Sequence, residues 1–123
     1  MKTILVIEDN PDNMKMITFI LEKNGYKTLS AFTGKDGIDL AKMELPDLIL
    51  LDIQLPDMDG TDVLKAIRNS DTDIPLPIVA VTSYAMSGDR QKLLAAGCNG
   101  YLEKPINPGN IVQEIKTFLG ELS

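Results

Sequence analysis

Three runs of four consecutive apolar residues leave this chain few folds to choose from: Ile4-Leu5-Val6-Ile7, Leu48-Ile49-Leu50-Leu51 and Ile78-Val79-Ala80-Val81. A strand with one face in water alternates apolar and polar side chains. An unbroken apolar run reads instead as a strand buried on both faces, the signature of a parallel sheet with helices on each side. Two weaker candidates, Lys27 to Ala31 and Gly100 to Leu102, suit strands nearer an edge.

Amphipathic stretches separate these runs. Asn10-Pro11 supplies a capping side chain followed by proline at the first helical position, and Met14, Ile17, Ile20 and Leu21 recur at helical spacing before Asn24-Gly25 stops the helix. Thr33 or Gly34 opens a second helix, with Ile38, Leu40 and Ala41 as its apolar face. Gly60 to Arg68 forms a third, with Val63, Leu64 and Ile67 inward. Ser87 can cap a fourth, which carries Leu93 and Leu94 and ends at Gly97. The last starts near Pro108 and carries Ile111, Ile115, Phe118, Leu119 and Leu122 on one stripe. Five strand-then-helix repeats predict an α/β fold, a doubly wound (βα)5 unit whose parallel sheet has helices on both faces. At 123 residues, with no Ser/Gly-rich linker, the chain reads as one domain spanning 1–123 with no output domain.

Composition removes several chemistries. Histidine is absent, which excludes a Ser-His-Asp triad, a zinc–histidine site and a histidine general base. The single cysteine, Cys98, excludes a disulfide framework and fits a reducing compartment. With 12 basic and 18 acidic residues the net charge is −6, which argues against binding nucleic acid by neutralising phosphates. No apolar run approaches the ~20 residues of a membrane span. The N-terminal Met1-Lys2-Thr3 run turns acidic at Glu8, so the expected location is the cytoplasm.

In an open parallel sheet, ligands bind beyond the carboxyl ends of the strands. The first strand ends at Glu8-Asp9, the third at Asp52, the fourth at Thr82-Ser83, and the fifth leads to Lys104-Pro105. Three carboxylates, a hydroxyl and an ammonium are therefore expected at one edge. Clustered carboxylates repel one another and either protonate or recruit a cation; an all-oxygen set suits Mg2+. Asp52 is the candidate nucleophile, because a carboxylate can form an acyl phosphate. Without a histidine of its own, the chain needs a donor that brings the reactive group. Taken singly, Glu8 and Asp9 are also explained as favourable charges near a helix N-terminus. Asp57, Asp59 and Asp62 belong to the loop and helix start beyond the site. The weight rests on all five groups together.

With those segments in place the chain resembles the response-regulator receiver domains of two-component signalling. The resemblance is carried by Ile4 to Asn10, Pro46 to Pro56, Asp59-Gly60, Val79 to Ser83 and Gly100 to Pro105. Within that family it looks most like the stand-alone receivers of the DivK and chemotaxis-regulator kind. The resemblance implies the flavodoxin-like strand order 2-1-3-4-5. It further implies that Asp52 accepts a phosphoryl group from a histidine kinase or histidine phosphotransfer protein. Asp9 and Asp52 would bind Mg2+, with Glu8 acting through water and Gln54 through its backbone carbonyl. Thr82 and Lys104 would contact phosphoryl oxygens, Thr82 and Tyr101 would act as the switch pair, and Lys104-Pro105 would be a cis peptide that aims the lysine. Gln54 and Tyr84 fall where the family controls water access and so phosphoryl lifetime. Output would pass to a downstream protein through the fourth helix, fifth strand and fifth helix, from a monomer or a phosphorylation-dependent dimer, without nucleic acid or membrane. The family's role is that of a phosphoacceptor that can lose its own phosphate, and a dedicated multi-turnover enzyme is not expected. Tyr101 is also explained as an edge-strand aromatic packed on the last two helices.

Two other functions fit parts of the pattern. Asp57-Met58-Asp59-Gly60-Thr61 resembles the signature of haloacid dehalogenase-like phosphatases. There the first aspartate directly follows the strand, whereas Ile53 to Pro56 intervene here. A flavodoxin-like cofactor binder would share the architecture, but Glu8-Asp9 would repel a cofactor phosphate and the chain has no tryptophan to stack on a flavin.

Overall fold

A computed structural model describes residues 1–68, 76–83, 87–104 and 106–120. The elements alternate strictly: β1 (Thr3–Ile7), α1 (Pro11–Lys23), β2 (Lys27–Ala31), α2 (Gly34–Glu44), β3 (Leu48–Asp52), α3 (Gly60–Arg68), β4 (Ile78–Thr82), α4 (Ser87–Ala96), β5 (Gly100–Glu103) and α5 (Pro108–Phe118). All neighbouring strands pair in parallel, in the order β2-β1-β3-β4-β5. The three apolar runs are the three central strands. The two weaker candidates are the edges, β2 and β5, where partial exposure relaxes the demand for apolar residues.

Alternation along each strand divides the core in two. Leu5, Ile7, Ile49, Leu51, Ile78 and Ala80 pack with the buried residues of α2, α3 and α4, whereas Ile4, Val6, Leu48, Leu50 and Val79 pack with α1 and α5. This two-sided burial is what the unbroken runs require.

The helix starts follow their caps. Asn10 Oδ1 accepts the amides of Asp12 and Asn13, Thr33 Oγ1 that of Asp36, and Asn107 Oδ1 those of Gly109 and Asn110. α4 begins at Ser87, and the expected cap there rests on a side chain outside the described part of the structure. Two expectations need refinement. The inner face of α2 is built on Gly34, Gly37 and Ala41, with Ile38 and Leu40 only half-buried. A Cβ on Gly37 would lie 2.8 Å from Ile7 Cγ1, so α2 rests almost directly on β1. In α4, Leu93 is buried but Leu94 is exposed. At the far end of the sheet the Arg68 guanidinium gathers three carbonyl oxygens: Leu76 O at 2.6 Å, Gly97 O at 2.8 Å and Asn99 Oδ1 at 2.7 Å.

Candidate functional site

Leu48, Leu50 and Asp52 alternate onto the α1/α5 side of β3, and Ile4, Val6 and Glu8 do the same along β1 and one residue past it. Two carboxylates are thereby brought to the same end of adjacent strands. Both are almost fully buried, at 2% exposure each. Asp9, the next residue, is exposed, yet one carboxylate oxygen from each of Glu8, Asp9 and Asp52 lies within 4.8 Å of the other two. Lys104 comes from just beyond β5. Its Nζ is 3.1 Å from Asp52 Oδ2 and 3.5 Å from Glu8 Oε1, and these are the only ion pairs among the described residues.

The remaining expected residues are placed as follows. Thr82 ends β4, buried, and its carbonyl accepts the Lys104 amide at 2.9 Å, which seats the lysine beside the site. The Gln54 amide donates to Asp52 Oδ1 at 3.0 Å, so the loop after β3 folds back over the carboxylate. Tyr101 is half-buried on β5 and packs against the core cluster that includes Leu93 and Cys98. The cluster it joins is the α2/α3/α4 one, not that of α5. Tyr84 and the Lys104–Pro105 peptide lie outside the described residues. One partner escaped the sequence reading: Asn13 Nδ2 donates to Glu8 Oε1 at 2.8 Å. Its position as the third residue of a capped helix was the only available signal.

The electrostatics follow from this crowding. Burial, and then the neighbouring Asp52, raise the Glu8 carboxyl from 4.5 to about 7, against the opposing pull of Asn13 and Lys104. For Lys104, burial acts to lower the value, but Asp52 and Glu8 outweigh it and the ammonium is held charged more firmly than usual. Two buried acids, Glu8 and Asp52, share one ammonium, and the exposed Asp9 carboxylate adds a third oxygen ligand beside them. A hard divalent cation is the species that such a set fits, and Mg2+ tolerates it while keeping waters.

The comparisons with known proteins agree. Residues 4–116 match the family model described as the response regulator receiver domain. The chain belongs to that family. This receiver is 39% identical over 120 residues to the polar-differentiation response regulator DivK of Brucella anthropi, covering 98% of each chain. Its fold matches a CheY-like response regulator receiver domain protein from Methanospirillum hungatei with a TM-score of 0.89 and 34% identity, over 98% of this chain and 95% of that one. It equally matches the receiver domain of a sensor histidine kinase from Pseudomonas aeruginosa, described with a magnesium ion coordinated in its active-site cleft (TM-score 0.89, 34% identity, covering 97% and 98%). The receiver thus has a phosphoacceptor's place in two-component signalling. Neither the phosphatase nor the flavin-binding alternative gains support. Among the described residues, no helix is long and apolar enough to cross a membrane.

Proposed function

We propose that Asp52 is the phosphoacceptor of this receiver and that residues 1–123 act as one signalling module. The observation that carries the reading is the buried Asp52 carboxylate, 3.1 Å from the Lys104 ammonium and grouped with Glu8 and Asp9. An Asp52 carboxylate oxygen attacks the phosphorus of a phosphohistidine on a histidine kinase or phosphotransfer protein. The P–N bond breaks, its electron pair returns to the imidazole nitrogen, and an acyl phosphate remains on Asp52. Because the chain has no histidine, the leaving group belongs to the partner.

Asp9, Asp52 and the Gln54 main-chain carbonyl would hold Mg2+, with Glu8 reaching it through water. Bound there, the ion supplies positive charge that offsets the carboxylates and the phosphoryl oxygens. Lys104 and Thr82 take phosphoryl oxygens, the first as a point charge and the second as a hydroxyl donor. Thr82 and Tyr101 form the switch pair, and Gln54 and Tyr84 govern water access to the acyl phosphate. The chain acts as a cytoplasmic phosphoacceptor and not as a dedicated enzyme. Output passes to a protein target over the α4–β5–α5 face, where Leu94, Tyr101, Glu114 and Phe118 line an open groove of about 440 Å3. The acidic net charge supports a protein target over a nucleic acid.

The test is incubation with Mg2+ and acetyl phosphate, followed by intact-mass measurement. The wild type should gain one phosphoryl group and Asp52→Asn none; equal modification of the two would reject Asp52 as acceptor.

A further inference from the structure

The loop between β3 and α3, residues 53–59, carries Gln54 and is fastened twice. At its base, Gln54 pairs with Asp59 in an antiparallel bridge and the Gly60 amide donates to Ile53 O at 3.0 Å. At its tip, Asp57 reaches another element altogether. Its Oδ1 accepts the Gly34 amide at 2.8 Å and its Oδ2 the Lys35 amide at 3.0 Å. These are the first two amides of α2, which have no acceptor within their own helix. Met58 completes the contact: a Cβ on Gly34 would lie 2.8 Å from Met58 Sδ and 2.9 Å from Val63 Cγ2, so a larger residue there would have to displace these side chains.

The element so gripped belongs to the other half of the site. α2 rests on β1 through Gly37 and Ile7, and β1 runs directly into Glu8 and Asp9. The Glu8 amide is itself tied to Ala31 O at 3.0 Å, next to the turn into α2. Asp57 therefore braces the loop that bears Gln54 against the unit that bears Glu8 and Asp9.

We propose that Asp57 is a positioning residue for the metal site, fixing the Gln54 main chain relative to Glu8, Asp9 and Asp52 by clamping the loop to α2. The inference rests on the assignment of those four residues to Mg2+. Mg2+ demands near-ideal placement of its oxygen ligands, so a loop released at its tip should bind the ion less well.

Calorimetric titration with Mg2+ separates this from a merely structural cap. Thr33→Ala removes another cap of the same helix, on the Asp36 amide at 3.1 Å, without releasing the loop. Both Asp57→Ala and Thr33→Ala should unfold at lower denaturant. At a temperature where both are folded, Asp57→Ala should bind Mg2+ about tenfold more weakly and Thr33→Ala as the wild type does. Saturating Mg2+ should return the Asp57→Ala phosphorylation rate with acetyl phosphate towards that of the wild type. Unchanged Mg2+ affinity in Asp57→Ala, or an equal loss in Thr33→Ala, overturns the inference and leaves the site assignment standing. A wild type that does not bind Mg2+ overturns the site assignment, and the inference with it.

Discussion

Replacing Glu8 by glutamine should change how stability responds to pH. In the metal-free fold the Glu8 carboxyl titrates near 7, against 4.5 for an ordinary one. Between these values the folded chain keeps a proton that the unfolded chain has released. Stability therefore falls as pH rises from about 4.5 to 7. The gap corresponds to at most about 3 kcal/mol at pH 7.5, which for a domain of this size is roughly 10 °C of melting temperature. Glu8→Gln keeps the volume and an oxygen for Asn13 but does not titrate. Denaturant unfolding in EDTA from pH 5 to 7.5 should show the wild type losing stability relative to Glu8→Gln across the window. Mg2+ should restore the wild type at the upper end, since the ion takes over from the proton. Asp57, whose carboxyl is held below its usual range by the Gly34 and Lys35 amides, changes charge at lower pH and leaves the window clean. Parallel profiles for the two proteins, or a wild type that gains on the variant with rising pH, would refute the reasoning.

Lys104→Met removes the only ammonium paired with Asp52 and Glu8 among the described residues. Phosphorylation by acetyl phosphate should slow about a hundredfold while calorimetric Mg2+ binding persists, because the acids keep their oxygens. Gly37→Ala favours the helix by propensity but drives a methyl into Ile7. Urea unfolding should show a net loss of about 1–3 kcal/mol.

The sheet was legible because its central strands are buried on both faces and therefore unbroken in sequence. Glu8, Asp9, Asp52 and Lys104 were legible because a parallel sheet sends every strand end to one edge. Glycine hid part of the core: Gly34 and Gly37 carry no hydrophobic weight in a periodicity, yet close approach makes them the buried face of α2. Leu94, one step round the helix from buried Leu93, shows that apolar identity alone does not assign a face. Asp57 on Gly34 and Arg68 on Gly97 span 23 and 29 residues. Such links leave no local pattern, because only the finished packing brings the partners together.

The clamp at Arg68 sits opposite the acidic end of the sheet. One guanidinium holds the approach to β4 through Leu76 and the turn into β5 through Gly97 and Asn99, and the Ile78 amide bonds the same Asn99 oxygen at 2.9 Å. The entry ends of β4 and β5 are thus joined by side-chain bonds in addition to the ladder that pairs the two strands along their length.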